Sequence, residues 1–303
     1  MNAPTNIKTI SEYHRLRGLP APKHPMISVI RFDEQFQGAE PGDYHYVFGY
    51  YMIALKRGMN SKYRYGQKEY DFDEGILFFV APNQAFGLHI EKNNRPPSGW
   101  MLLIHPDFLW NTPLATKINQ YDFWNYATNE ALFLSEDEEN ELEQIVKTIE
   151  KEYNDRIDSF SQHIIVSQLE TLLHYSERFY NRMFLTRSKG NHQLFEQMEL
   201  LLTDYFSADD FIKNGVPSVQ YVADNLHVSP GYLSNLLKSI TGQTTQQIIH
   251  KKLIEKAKEK LSTTDLTVTE IAYELGFEHS QGFSKLFKSK TKLTPLEFRK
   301  TFR

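Results

Sequence analysis

The 303-residue sequence contains no cysteine, which excludes a disulfide framework, a thiolate nucleophile and cysteine ligands for a metal. A chain of this size without cysteine fits a reducing compartment, so we expect a cytoplasmic protein. No apolar run approaches the roughly 18 residues that cross a bilayer. The N-terminal residues also lack the apolar segment of a signal peptide. We therefore expect neither a membrane partner nor secretion.

The charge of the chain is unevenly distributed. The formal net charge is −4, yet residues 216–303 hold 13 Lys and Arg against 8 Asp and Glu, and the rest holds 21 against 30. A positive segment suits a surface that faces phosphate groups. On charge alone, however, a solvated lysine-rich face explains so modest an excess better.

Residues 26–110 predict a domain of short β-strands. Apolar and aromatic stretches that suit strands are separated by turn residues, as is typical of a sandwich or barrel. These stretches are residues 26–32, 44–55, 63–72, 75–82, 86–91 and 100–105. Residues 1–25, which hold three prolines near their end, predict an extended arm.

Two amphipathic helices are predicted over residues 135–184. Ser135 followed by Glu138 forms a capping-box pattern at the start of the first helix. The helices carry apolar stripes at Leu142, Ile145, Val146 and Ile149, and at Ile164, Ile165, Leu169, Leu172 and Leu173. The second stripe either covers the sheet or forms a dimer contact, and the sequence leaves both open. A polar stretch at 186–191 predicts a linker, which divides the chain into domains 1–185 and 192–303.

The C-terminal third contains a duplicated pair of short helices. In the first pair, Ser229 and Pro230 suit the start of the second helix, and Gly242 suits its C-terminal cap. The apolar pair at 222–223 returns 49 positions later at 271–272, and the following helix returns within about one residue of that interval. Two short helices joined by a tight turn form a helix-turn-helix unit. The sequence therefore predicts two such units, connected by a helix over 245–261.

Three stretches of this region, YLSNLLKSITG, KKLIEKAKEKL and VTEIAYELGFEHSQGFSKLFKSKTKLTPLEFRK, resemble the AraC/XylS family of transcription regulators. The resemblance covers about the last hundred residues. It implies an all-helical domain that binds promoter DNA, and activation more often than repression. Lys292 departs from the family, because many members carry glycine there, and a lysine at that position must tolerate a left-handed backbone.

The N-terminal region is similar to the cupin-like sensory domain of the same family. The similarity lies in a turn at 73–75, the apolar strand that follows and the residues 82–84. The predicted fold class is therefore a multi-domain α+β protein, with a cupin-like β-barrel or sandwich plus helices and an all-α domain with two helix-turn-helix motifs. The family implies a small-molecule effector, a homodimer and a contact with RNA polymerase. The alternative is a DNA-binding adaptor that needs no ligand and is dimerised or partnered through its N-terminal domain.

The resemblance and the outward helix positions predict the residues that contact DNA. Asn and Gln suit adenine and Lys suits guanine, whereas other polar groups hold the backbone. The predicted base-facing residues are Ser234, Asn235, Ser280, Gln281, Ser284 and Lys285, and the predicted backbone contacts are Ser229, Tyr232, Lys238, Lys288, Lys290 and Lys292. Any one of them alone is more often a solvated surface residue than a DNA contact. As a group on the second helices of two helix-turn-helix units, they predict a DNA-binding protein.

An enzyme is the remote alternative, in the form of a cupin-type metal enzyme. His45, His89 and His105 lie in the strand region, but the sequence has no His-x-His pair of the kind such enzymes use. It also has no glycine-rich phosphate loop and no nucleophile motif. We therefore predict no catalytic residues, no metal and no cofactor.

Overall fold

The computed structural model describes residues 4–32, 42–57, 63–65, 68–70, 75–90, 98–126, 130–155, 160–186, 188–207 and 215–301. The chain divides into two compact units, Met1–Met183 and Phe184–Arg303. The first unit combines strands with helices. Every element described in the second unit is helical, and it begins with the last residues of the long helix Ser161–Thr186. The protein is thus of mixed α and β structure, as the sequence predicts.

The N-terminal unit is built on two main sheets. Its strands are β1 (Thr5–Ile7), β2 (Ile27–Phe32), β3 (Gly42–Phe48), β4 (Tyr51–Arg57), β5 (Tyr63–Tyr65), β6 (Lys68–Tyr70), β7 (Gly75–Val80), β8 (Ala85–Ile90), β9 (Ser98–Ile104) and β10 (Leu132–Leu134). One sheet has five antiparallel strands in the order β10-β7-β4-β9-β2, and the other has the order β1-β3-β8. Strands β5 and β6 form a separate hairpin ladder.

The two main sheets share an apolar core. Because side chains alternate along a strand, Met52 and Ala54 of β4 belong to this core together with Phe48 of β3 and Phe86 of β8. The intervening residues of β4 point to the opposite face of the five-stranded sheet, where Tyr51 packs against Trp124 with ring centroids 4.8 Å apart. The five-stranded sheet is therefore covered on both faces.

The extended arm predicted over residues 1–25 is wrong in part, because this stretch contains β1 and helix α1 (Ile10–Leu16). Thr9 and Glu12 form a capping box at the start of α1, and Ile10 and Tyr13 are buried. Thr-x-x-Glu in front of an apolar residue is a helix-start pattern.

The two helices predicted over 135–184 are confirmed as α3 (Glu136–Asn154) and α4 (Ser161–Thr186), which follow the one-turn helix α2 (Leu114–Lys117). The capping box of Ser135 and Glu138 is present. Arg31 of β2 ties α3 to the sheet through ion pairs with Glu143 at 2.7 Å and Glu150 at 2.5 Å. The apolar stripe of α4 is buried in the chain itself except for Ile164. The covering role of this stripe is therefore favoured over a dimer contact.

Residues 186–191, predicted as a linker, are helical in the structure except for residue 187, which lies outside the described residues. Thr186 ends α4 and Ser188 begins α5 (Ser188–Ser207). Asn191 is buried, and its side-chain amide donates a hydrogen bond to the carbonyl of Phe184 at 2.6 Å. Asn191, one of the polar residues that indicate a loop, thus caps a carbonyl near the end of α4.

The C-terminal unit is arranged around one long helix. Its helices after α5 are α6 (Val219–Asn225), α7 (Pro230–Thr241), α8 (Thr245–Thr263), α9 (Val268–Glu274), α10 (Ser280–Thr291) and α11 (Pro295–Lys300). Helix α8 packs against α5, α7, α9, α10 and α11. Its buried side chains, among them Ile249, Leu253 and Ala257, form the centre of this unit.

The duplication predicted from the sequence is visible as two helix pairs whose corresponding helices have the same length. Both α6 and α9 have 7 residues, and both α7 and α10 have 12. The turn of each pair contains a left-handed residue, His227 with φ of 56° and Gly276 with φ of 77°. The turn before α10 is one residue longer than the turn before α7. The counterpart of Ser234 is therefore Ser284, at an interval of 50.

Candidate nucleic-acid interface

Helix α7 separates an apolar face from a polar one. Its N-cap Ser229 accepts a hydrogen bond from the backbone N–H of Tyr232, and Pro230 takes the first position. Leu233, Leu236 and Leu237 are fully buried. At 3.6 residues per turn the side opposite these leucines carries Gly231, Asn235 and Lys238.

Helix α10 repeats this arrangement with different side chains. Phe283 and Phe287 are fully buried, and the opposite side presents Gln281, Lys285 and Lys288, all exposed. These three residues lie 50 positions after Gly231, Asn235 and Lys238. Of the residues predicted to contact DNA, the structure thus places Asn235, Lys238, Gln281, Lys285 and Lys288 on equivalent outward faces.

The two outward faces differ in charge. That of α7 carries one lysine, Lys238, whereas that of α10 carries Lys285 and Lys288, and Lys292 follows at its end. Lys290 lies elsewhere, at the helix position that Ile240 takes in the first copy. Burial lowers the pKa of His250 on α8, and the charge of Lys290 lowers it further. By helical periodicity Lys290 therefore lies off the outward face of α10, although its side chain is exposed.

Comparison with known proteins assigns this region. The Helix-turn-helix domain family matches residues 222–301. An uncharacterised HTH-type transcriptional regulator of Pseudoalteromonas carrageenovora is 39% identical over 85 residues, which are 28% of this chain and 50% of that protein. The HTH-type transcriptional activator RhaS of Enterobacter sp. (strain 638) is 33% identical over 111 residues, 37% of each chain. Residues 222–301 of this chain form an AraC-type helix-turn-helix domain.

A solved structure gives a similar match. The C-terminal domain of the two-component response regulator yesN from Fusobacterium nucleatum is 31% identical, covers 34% of this chain and 95% of that domain, and has a TM-score of 0.30. The chain spans at most half the length of the curated relatives described here. The matched relatives are transcriptional regulators and not enzymes.

Two predicted DNA contacts in the AraC-type domain are engaged inside it. Ser234 is half-buried, and its hydroxyl oxygen lies 3.1 Å from that of Thr245, a fully buried residue at the start of α8. The ring of Tyr232 packs edge-on against Phe184 with centroids 5.2 Å apart. Both partners are distant in sequence, so local periodicity gave no indication of these contacts. Ser280 and Ser284 are half-buried at the edge of the outward face of α10.

The second turn of the AraC-type domain depends on a close approach of two glycines that the sequence analysis missed. A Cβ on Gly276 would lie 2.4 Å from the Cα of Gly215 and 2.7 Å from its carbonyl carbon. The hydroxyl of Tyr205 donates to the carbonyl of Gly215 at 2.8 Å, which holds this segment against α5. Gly276 is thus required both for its φ of 77° and for the absence of a side chain.

Polar contacts fix α9 and α11 to the central helix. The Arg299 guanidinium donates to the carbonyl of Leu261 at 3.2 Å and to that of Leu266 at 2.6 Å. Lys260 of α8 and Glu274 of α9 form an ion pair at 2.7 Å. Because these contacts join the end of α8 to both flanking helices, the position of the second helix-turn-helix unit relative to α8 is set by several bonds.

Of the histidines considered for a metal site, His45 and His105 have described side chains. His45 is exposed on β3, whereas the ring of His105 accepts from the backbone N–H of Asp107 at 3.3 Å; the side chain of His89 lies outside the described residues. Within the described ranges no group of three or more His, Cys, Asp or Glu side chains is placed to hold a metal. Nor does any helix described in the structure have the length and apolar character to cross a bilayer.

Proposed function

We propose that this protein is a sequence-specific DNA-binding transcription regulator that reads two adjacent major-groove segments with α7 and α10. The observation that carries the proposal is the recurrence of the outward positions. Asn235 and Lys238 on α7 are repeated at 50-residue intervals by Lys285 and Lys288 on α10, and both helices begin directly after a tight turn. A second helix with polar residues in its N-terminal half is the part of a helix-turn-helix unit that enters the groove.

The central helix supports a spacing of one DNA turn. Helix α8 has 19 residues, which correspond to about 28 Å at 1.5 Å per residue. One turn of DNA is about 34 Å. Because α8 packs against both α7 and α10, it sets their separation. We therefore propose that one protomer spans two successive major-groove segments on one side of the duplex.

The proposed roles follow the position of each side chain around its helix. Asn235 and Gln281 suit adenine, and Lys285 suits guanine. Lys238, Lys288 and Lys292 contact phosphate and set position. The remaining predicted contacts, Ser229, Tyr232, Ser234, Ser280, Ser284 and Lys290, either serve contacts within the domain or lie beside the outward faces, so we assign them smaller effects on DNA affinity.

Selection of bound sequences from random double-stranded DNA by the purified full chain tests the proposal. Wild-type protein is expected to enrich a bipartite site. Asn235→Ala and Gln281→Ala are expected to relax preference at separate positions about ten base pairs apart. No enrichment at all would refute sequence-specific binding, and loss of preference at the same base pair in both variants would refute the two-groove arrangement.

We propose further that the N-terminal unit is a cupin-like sensory domain and that DNA binding responds to a ligand there. Two sheets around a shared core rich in aromatic residues support this reading. The alternative is a ligand-independent adaptor that uses this unit to dimerise or to contact another protein. Repeating the selection with and without a protein-free small-molecule extract of the source cells separates the two, because an adaptor enriches the same site with the same affinity in both.

A further inference from the structure

The two helices that are proposed to enter the major groove carry different amounts of positive charge. Helix α7 contains one lysine, Lys238, whereas α10 contains three, and neither helix contains an acidic residue. The lysines of α10 are Lys285, Lys288 and Lys290, and Lys292 follows as its C-cap. The second helix of the second unit, together with its C-cap, thus carries four positive charges where that of the first unit carries one.

The lysines of the second unit are not neutralised within the domain. Lys285, Lys288 and Lys292 are exposed, and none of them forms an ion pair or a hydrogen bond with a residue that the structure describes. Lys260 of α8, in contrast, pairs with Glu274 of α9 at 2.7 Å. The charges that the domain leaves unpaired remain available for the phosphate groups of DNA.

The acidic side chains on the helices next to α10 are bonded at the starts of those helices. The carboxylate of Glu270 accepts from the backbone N–H of Thr267 at 2.6 Å, at the start of α9. That of Glu297 accepts from the backbone N–H and the hydroxyl of Thr294 at 2.7 and 2.8 Å, at the start of α11. Glu278, in the turn before α10, is exposed and leaves a negative charge before the N-terminal end of that helix. The lysines in the C-terminal half of α10 therefore keep their net positive charge.

The base-facing positions of the two helices differ in reach as well. Gly231 of α7 corresponds to Gln281 of α10, 50 positions later, and Asn235 corresponds to Lys285. Glycine has no side chain with which to contact a base, whereas glutamine bonds adenine and lysine bonds guanine. At these two positions α10 therefore has two side chains that can read bases, where α7 has one.

The spacing of Gln281 and Lys285 limits which bases α10 can read together. The two residues are four apart on one helix, which is about 6 Å along its axis at 1.5 Å per residue. Base pairs follow one another at about 3.4 Å, so along the groove this separation corresponds to about two base pairs. An adenine and a guanine at that spacing satisfy both side chains.

We propose that the two helix-turn-helix units contribute unequally, and that α10 with its C-cap supplies most of the affinity for DNA. The half-site of α10 contains an adenine and a guanine about two base pairs apart. The half-site of α7 is specified at one adenine, through Asn235, and tolerates substitution elsewhere. This inference rests on the proposed function, because it concerns the same interface, and it goes further by naming the half-site that dominates.

Competition with altered DNA tests the unequal division. The variants Asn235→Ala and Gln281→Ala first assign each half of the selected site to its helix. At about 0.15 M salt, scrambling the half-site of α10 is expected to weaken binding of the wild-type chain about tenfold more than scrambling the half-site of α7. Equal losses, or a larger loss from the half-site of α7, would overturn the proposal.

The two equivalent C-caps separate charge from folding. Lys292→Gly removes a positive charge and a left-handed residue that has a Cβ, so it is expected to weaken DNA binding about fivefold without lowering the Tm. Gly242→Lys adds a charge at the same position of α7, where a Cβ meets no atom within 4 Å. It is expected to bind DNA more tightly than Gly242→Ala, which has the same backbone strain and no charge. Unchanged affinity in Lys292→Gly, or no gain of Gly242→Lys over Gly242→Ala, would show that a lysine at this cap does not reach phosphate.

The salt dependence measures the electrostatic share of each helix. The double variant Lys288→Gln/Lys292→Gly is expected to reduce the salt slope by about two, and Lys238→Gln on α7 by about one at most. A reduction as large in Lys238→Gln as in the double variant would contradict the unequal division of charge.

The outcomes for DNA keep this inference apart from the proposed function. Enrichment of a bipartite site whose two halves contribute equally would leave the sequence-specific regulator and remove the dominant role of α10. Enrichment of a site whose α10 half lacks the adenine and guanine at the expected spacing would remove the assigned readout. Absence of any enriched sequence would remove the regulator and this inference together.

Discussion

Gly242 and Lys292 occupy the same left-handed position at the C-terminal ends of α7 and α10, with φ angles of 73° and 67°. The backbone N–H of each donates to the carbonyl of the residue four positions earlier, at 3.0 and 2.9 Å. Glycine adopts this conformation without strain, whereas a residue with a Cβ loses about 1–2 kcal/mol. The C-cap of α10 is thus a lysine that carries a positive charge, whereas the C-cap of α7 is a glycine that adopts the left-handed conformation without strain.

We expect Lys292→Gly to stabilise the C-terminal unit by about 1 kcal/mol, because it removes the left-handed strain. The Tm of the full chain, measured by calorimetry, should rise by a few degrees for the transition that contains this unit. Gly242→Ala is the converse control: its Cβ meets no atom within 4 Å, so any loss of stability comes from φ alone. A fall in Tm for Lys292→Gly would contradict the account of strain.

The approach of Gly276 to Gly215 predicts a larger effect. Gly276→Ala combines a positive φ with a Cβ placed 2.4 Å from backbone, and we expect a loss of more than about 2 kcal/mol. Gly282→Ala is the matched control, because its Cβ would meet only a ring carbon of Phe277 at 3.7 Å and alanine favours a helix. The Tm measured by calorimetry and the DNA affinity should both fall in Gly276→Ala, and neither should fall in Gly282→Ala. An equal response of the two glycines would refute the close contact.

The parts of the fold that the sequence predicted are those that local patterns determine. The helix-turn-helix pairs follow from apolar spacing, from Ser229 at an N-cap and from Gly242 at a C-cap. The contacts of Tyr232 with Phe184 and of Ser234 with Thr245 join residues that a helical wheel treats as independent, so the same pattern overestimated the outward face. Helical periodicity predicts the direction in which a side chain points, but it cannot predict which residue from another part of the chain packs against that side chain.

The N-terminal unit illustrates the same limit and one missed signal. The five-stranded sheet order places β10 beside β7 across more than fifty residues of chain, which no local pattern contains. The position of Lys56, in contrast, could be predicted from the sequence. With residues 52 and 54 facing the core, the alternation of side chains along a strand places residue 56 inward as well. The inward position of Lys56 in an apolar strand is therefore a feature that the sequence alone could have indicated.

The salt dependence of DNA binding should distinguish Lys288 from Lys290. Lys288 lies on the outward face of α10, so Lys288→Gln is expected to weaken binding to all sequences about equally and to reduce the salt slope by about one. Lys290 lies off that face, at the helix position that Ile240 takes in the first copy, so Lys290→Gln, which removes the same charge from the same helix, should change the slope by much less. Binding isotherms at several salt concentrations measure both. Equal slopes for the two variants would show that net charge, rather than the outward face, determines affinity.

The pKa of Lys56 gives the N-terminal unit a pH dependence that can be measured without a ligand. The pKa of this lysine is about 8 in the folded chain and about 10.4 in an unfolded one. Between these values the unfolded state binds the extra proton, so the contribution of Lys56 to stability rises as the pH rises from about 8 to about 10. Burial raises the pKa values of Tyr13, Tyr46 and Tyr50, so these phenols titrate above that window.

We therefore expect Lys56→Met to stabilise the free protein at pH 7 by about 1–2 kcal/mol, since it removes a half-buried charge that forms no ion pair with any residue the structure describes. The advantage should shrink as the pH rises and be nearly absent at pH 10, where the wild-type lysine is neutral. Lys23→Met, at an exposed position, should shift Tm little at either pH. Thermal unfolding of the three proteins at pH 7, 8.5 and 10 measures the difference. A gain that does not depend on pH would show that methionine acts through packing and that Lys56 is not held as a cation in an apolar interior.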